Sequence, residues 1–337
     1  MGRVKLFSRF SVFLYTFSAL CVALLLISCK SARIASVINA TLGNAIRRAL
    51  ALFSYPFPFS LFELVCLCAP FLLIAIIIYV AKKDSRRRFF LCLSLLCAVF
   101  ATYILSFGIA YKAPSALSHY SAEVSETQTA ELARELAERV NSFSGTPLSD
   151  TDAIGELNRA ISSRRGMPPI KIKKIALSSL LTRMRILGFY SFLTGELNVN
   201  MFIPSYLYCF TAAHEYAHLL GYAREGEANL FAYILLHSTQ NEYLSYCADL
   251  VALEYLLFDI YKRDKMEYNV IYSSLSDSVI SNLKEYGELI SRYPELSFSK
   301  KVSDAHLSVW DTDGYSTFTR LLVCYHQSNN APKTLIK

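Results

Sequence analysis

The sequence predicts a mainly α protein of the α+β kind. Three N-terminal transmembrane helices lead into a helical domain with a small β-hairpin or sheet ahead of a His-Glu-x-x-His helix. Three observations predict this. The first third of the 337 residues holds three uncharged apolar stretches in a chain that is 53% hydrophobic and only 18% charged, a membrane-like composition. The rest is polar with helical periodicity, and β-type alternation is confined to residues 170–201. Two histidines, His214 and His218, stand four residues apart within an apolar run.

The three stretches are Phe10–Cys29, Leu64–Ala81 and Phe89–Tyr111, of 20, 18 and 23 residues. Each is long enough to cross a hydrocarbon core of about 30 Å as a helix. A membrane domain over residues 1–111 and a second domain over 112–337 follow. The net charge of +7 divides unevenly: the first segment carries 12 Lys/Arg against two acids and the second 22 against 25. The basic excess is therefore juxtamembrane, and no nucleic-acid surface is expected.

Arg3, Lys5 and Arg9 before the first span, and Lys82, Lys83 and Arg86–Arg88 between the later two, place both flanks in the cytoplasm by the positive-inside rule. Residues 112–337 then lie outside, which makes the chain a multi-pass membrane protein with an extracytoplasmic C-terminal domain. Between the first two spans, Arg33 to Phe53 reads as an interfacial amphipathic helix with Arg47 and Arg48 at the headgroups. A second reading of the start is a lipoprotein signal ending at Cys29. The spans hold no ionisable residue that could form a substrate path, which argues against a transporter.

Ser125-Glu-Thr-Gln128 reads as a capping box that opens a helix through Val140. A second helix covers Thr151–Ser163. Ile170–Leu177 reads as a strand. Leu187–Leu193 and Glu196–Met201 form a hairpin about Thr194-Gly195, with Leu197, Val199 and Met201 on one face. After the motif, helices are expected over Glu225–His237, Glu242–Lys262 and Tyr268–Arg292. Cys209, Cys247 and Cys324 have no metal-type spacing and read as core.

The chemistry sits in Thr211-Ala-Ala-His214-Glu215-Tyr-Ala-His218-Leu-Leu-Gly221-Tyr-Ala-Arg224-Glu225-Gly-Glu227-Ala-Asn229. On a helix, His214 and His218 share a face and can place two imidazoles on one ion. Glu215 sits where it can deprotonate a water at that ion. A tetrahedral zinc site needs a third protein ligand. An unbroken helix would carry Glu225 about 10 Å past His218. Gly221 is a natural left-handed stop that lets the chain fold back. Glu225 is the first choice for the third ligand and Glu227, roughly 200° around the new helix, the second. Asn229, one turn beyond Glu225, suits a hydrogen bond to a ligating histidine. His306, Tyr315 and His326 are the downstream candidates for an oxyanion donor.

This run resembles the signature of a family of bacterial membrane proteins known as domain of unknown function 3810. More distantly, Glu225-x-x-Ala228-Asn229 is similar to the third-ligand helix of Glu-zincin metallopeptidases. Asn229 replaces the usual Asp there, and the interval from His218 to Glu225 is short. The resemblance implies a zincin-like, membrane-anchored metallopeptidase in the bacterial cell envelope, with one zinc per chain held by His214, His218 and Glu225. The expected partners are the lipid bilayer and a peptide or protein substrate, which could itself be a membrane or envelope protein. A strand next to the motif helix would offer an edge to an extended substrate, or only cover the helix. The alternative function is a catalytically inactive zinc-binding sensor or scaffold.

Overall fold

The computed structural model describes residues 8–82, 85–114, 123–162, 168–296 and 316–328. The chain divides into two compact units: Met1–Pro114 with Ser191–Glu196, and Ser115–Tyr190 with Leu197–Lys337.

In the first unit, α1 (Arg9–Lys30), α4 (Leu61–Ala81) and α5 (Ser85–Ser106) are long and apolar enough to cross a membrane. The third apolar run ends as a helix at Ser106, and Gly108–Lys112 continues as a 3-10 turn. Helix α5 packs along α1 around Cys21, Ala35, Ala101, Ile104 and Ile109. No residue of α4 is buried, so this helix is apolar on every exposed face. Its free N–H groups are satisfied by two side chains. Ser60 accepts from Glu63 N at 3.0 Å, and the buried Glu196 accepts from Leu61 N and Phe62 N, both at 2.9 Å. A carboxylate at a helix N-terminus also meets the positive end of the dipole. The loop that carries Glu196 turns through Gly195 at φ +68°, where a β-carbon would run into the backbone of Leu50 and Ala51.

The segment between the first two spans departs from the single amphipathic helix. It is α2 (Ala32–Ile38), a π-turn over Asn39–Gly43, and α3 (Asn44–Ser54). Arg47 is not at a headgroup. It is fully buried, and its guanidinium donates to Asn39 Oδ1 at 2.9 Å and to the Ser106 carbonyl at 2.7 Å. The π-turn leaves polar backbone and Asn39 facing inward, and a planar donor with several N–H groups satisfies both at once.

In the second unit, α6 (Glu126–Asn141) begins with the reciprocal Ser125/Gln128 box, and α7 spans Asp150–Ser162. The sheet has order β1-β3-β2, with β1 (Ile172–Lys174) parallel to β3 (Leu197–Val199) and β2 (Gly188–Tyr190) antiparallel to it. The strands are shorter than the alternation suggested. The first gives way at Ser178 to α8 (Ser178–Arg183). The face argued from Leu197, Val199 and Met201 also fails at its end: Met201 lies past the strand and is 48% exposed, whereas Asn198 is as buried as its neighbours.

Helices α9 (Ser205–Leu220), α10 (Glu225–Ser238) and α11 (Glu242–Arg263) form the core, with α6 against α11 and α14 (Ser316–Gln327) against α10. The last long expected helix is two, α12 (Lys265–Ser273) and α13 (Asp277–Ser291), because Ser276 starts a new cap. Cys209, Cys247 and Cys324 are buried thiols.

Candidate metal centre

Helix α9 ends at Gly221, at φ 100°, in a complete Schellman pattern. Tyr222 N donates to Ala217 O at 3.1 Å and Gly221 N to His218 O at 3.0 Å. The chain reverses through Tyr222–Arg224 and re-enters a helix at Glu225. The reversal brings the Glu225 carboxylate to the histidines. His214 Nε2 is 3.2 Å from Glu225 Oε2, and His218 Nε2 is 3.8 Å from Glu225 Oε1. One ligand atom from each of the three residues lies within 4.8 Å of the others, a group that could hold a metal ion.

Glu227 faces elsewhere and pairs with Arg224 Nη1 at 3.1 Å. Asn229 Oδ1 is 2.7 Å from His214 Nδ1, and the Tyr222 carbonyl is 2.7 Å from His218 Nδ1. Both Nδ1 atoms face acceptors, so each ring carries its proton there and turns Nε2 toward Glu225.

Glu215 is 4% exposed, and its Oε2 has no hydrogen-bond partner among the described residues. The peptide N–H of Tyr190, on β2, donates to the same carboxylate. Burial pushes the Glu215 carboxyl up to about 8; the charge of Glu225 adds to the rise, and His214 and the Tyr190 N–H oppose it. For His214, burial favours the neutral ring, but the hydrogen bond and charge of Glu225, the charge of Glu215 and the bond to Asn229 together outweigh it and carry the imidazole up to about 9. A proton shared by His214 and Glu225 and a cation held between them are thus alternatives.

The donor set suits a borderline-soft divalent ion: two imidazoles oriented through their other nitrogens, one carboxylate, and a buried unbonded carboxylate oxygen beside them. Of the oxyanion candidates, His306 and Tyr315 lie outside the described residues. His326 is withdrawn from that role. Its Nε2 bonds the Tyr233 hydroxyl at 2.9 Å, in a network with Asp249 and His237 toward the other end of α10.

The strand just before α9, β3, is the middle strand and has no free edge. Both β3 and the edge strand β2 pack on α9, β2 through Gly188 against Thr211 and Tyr190 against Glu215. Neither Tyr190 nor Tyr255, whose Oη accepts from Asn229 Nδ2 at 3.4 Å, was foreseeable as part of this site. Each lies more than twenty residues from its partner with no motif to mark it. The Tyr222 carbonyl was legible in principle, because a glycine stop fixes the residue that follows it.

No curated protein and no solved structure matches this chain. The family model described as "Protein of unknown function (DUF3810)" matches residues 39–323, which contain the whole of this centre, and the chain belongs to that family.

Proposed function

We propose that this chain is a membrane-anchored, zinc-dependent metallopeptidase whose domain 112–337 works outside the bacterial cytoplasm. The observation that carries the reading is the convergence of His214, His218 and Glu225, with the buried Glu215 beside them. Zinc bonds of about 2.0–2.2 Å in a tetrahedron give ligand–ligand edges of about 3.4 Å. The 3.2 and 3.8 Å from the imidazoles to Glu225 bracket that value. When bound, zinc would supply a Lewis acid that brings the pKa of water from about 16 toward 7.

The chain's own residues divide the remaining work. Glu215 takes the proton of the attacking water and returns it to the leaving amine. Its Oε2, with no partner among the described residues, is the atom available for that proton, while the Tyr190 N–H holds the carboxylate in place. Burial raises the Glu215 carboxyl above the ordinary carboxylate range, which makes it a stronger base. An extended peptide could add to the edge of β2 through main-chain groups other than the Tyr190 N–H, which Glu215 holds. The apolar helices α1, α4 and α5 support a membrane anchor, and the basic residues beside them support the orientation.

Purified full-length protein is expected to carry about one zinc per chain and to cleave unstructured peptides. Glu215→Gln should keep the zinc and lose cleavage. Cleavage that survives in Glu215→Gln removes the mechanism, and wild type that holds zinc without cleaving any peptide leaves a sensor or scaffold.

A further inference from the structure

Among the described residues, the exposed large apolar side chains of the second unit fall into two groups. Phe258 and Tyr261 belong to the first, and each ring lies under an ammonium of its own chain, Lys262 at 3.9 Å and Lys265 at 5.3 Å from the centroids. The second group has no such cover among the described residues. It is Leu177 and Leu180, at the cap and on the first turn of α8, with Met201 and Phe202 after β3, each between 39% and 48% exposed. Two hydrogen bonds hold these segments side by side. Met201 N donates to Ser178 Oγ at 3.0 Å, and Asn200 Nδ2 to Thr182 Oγ1 at 2.9 Å. Ser178, Leu181 and Thr182 are buried, so the opposite face of α8, with Leu180 and Arg183, is the one turned outward.

The charge around this face has one sign. From residue 157 to 195 the chain carries eight Lys/Arg and no Asp or Glu, within a domain that carries 22 against 25. Lys174 and Arg183 are exposed, and neither forms an ion pair among the described residues. Exposed apolar side chains rimmed by cations suit an anionic bilayer surface: the apolar groups enter the acyl boundary while the cations stay with the headgroup phosphates. A bilayer is also at hand, because Ser191–Glu196, which joins β2 to β3, belongs to the unit that holds the long apolar helices. We propose that this face docks on the anionic headgroup surface of the membrane in which the chain is anchored. Leu177, Leu180, Met201 and Phe202 enter the acyl boundary, and Lys174 and Arg183 meet the phosphates. The inference does not rest on the metal reading of the site.

The test uses the full-length chain in nanodiscs of phosphatidylcholine, alone or with about 30% phosphatidylglycerol, with brominated acyl chains in both. Phe202→Trp adds an indole to the face, and its emission is read as the difference from wild type, which holds Trp310. Bromines on the acyl chains quench an indole that enters that layer. The added emission should be about twofold weaker in the anionic discs than in the neutral ones. Salt at about 1 M, which screens charges beyond about 3 Å, should remove the difference. Adding Lys174→Glu and Arg183→Glu should also remove it while the chain stays in the disc. Wild type gives a second arm that needs no variant: amide exchange over 174–187 and 200–203 should be about threefold slower in the anionic discs. Equal quenching in the two discs, quenching that survives the charge reversals, or exchange that does not depend on the lipid overturns the proposal. So does an unquenched, blue-shifted indole in a chain that runs as a dimer, which would assign the face to a second copy.

Discussion

His214 Nε2 and Glu225 Oε2 stand 3.2 Å apart although their side chains leave different helices. The distance depends on the reversal at Gly221, whose φ of 100° an L side chain rarely adopts. A β-carbon there costs about 1–2 kcal/mol and favours unwinding the stop. Gly221→Ala is expected to lower the thermal unfolding midpoint and to weaken zinc by at least tenfold, since Glu225 and the Tyr222 carbonyl both shift. Zinc titration of the variant checks it, and unchanged affinity would show that the stop does not set the ligand geometry.

The approach of β2 to α9 gives a separate prediction. A β-carbon at Gly188 would lie 2.7 Å from Thr211 Cγ2, 2.8 Å from Asn198 O and 3.2 Å from Glu215 Oε1. The second contact is with backbone, which cannot swing aside. Gly188→Ala should push the edge strand off the helix and loosen the Tyr190 bond to Glu215. None of the three nearest atoms belongs to His214, His218 or Glu225. Peptide cleavage should therefore fall at least tenfold while zinc content stays at the wild-type level. Loss of zinc and cleavage together would mean that the strand supports the ligands rather than the base.

What the sequence made legible follows the range of the interactions. The turn of helix that pairs His214 with His218, the glycine stop and the Ser125/Gln128 cap are local, set by residues within one turn of each other. The three long apolar helices are legible for the same reason, since length and composition suffice. Residues brought together from distant segments left no such trace: Tyr190 beside Glu215, Tyr255 behind Asn229, Glu196 on the first turn of α4. Arg47 was misread because a cation near a span is usually a headgroup ligand, and nothing local announces the π-turn that needs it inside. The sheet was overextended because the alternation of Leu197, Val199 and Met201 runs on past Val199, the last paired residue, and so marks no strand end.

Arg47 supplies a stability prediction for the first unit. Its guanidinium serves Asn39 Oδ1, Asn39 O at 3.2 Å and Ser106 O. Arg47→Met fills similar volume but withdraws those donors, and each buried acceptor deprived of one costs about 1–3 kcal/mol. The variant should unfold at lower temperature in detergent than wild type. Arg47→Lys, a point charge in place of a fork, should fall between the two. A methionine variant as stable as wild type would show that the desolvation of Arg47 cancels what its bonds contribute.

Glu254, on the same helix as Tyr255, gives a pH prediction that does not involve the metal. Burial raises its carboxyl from the ordinary 4.5 to about 7. Its folded-state value therefore exceeds the unfolded one, and folding takes up a proton between the two. The contribution is fully present below about 4.5 and is lost as pH rises through about 7, because the folded chain must then bury a charge. At about 1.4 kcal/mol for each pH unit of separation, the loss is on the order of 3 kcal/mol by pH 8. Glu254→Gln, which stays neutral and keeps the shape, should remove this part of the decline and unfold several degrees above wild type at pH 8. The two proteins should differ little at pH 4.5. Parallel curves across that range would mean that Glu254 ionises in the folded chain as freely as in water.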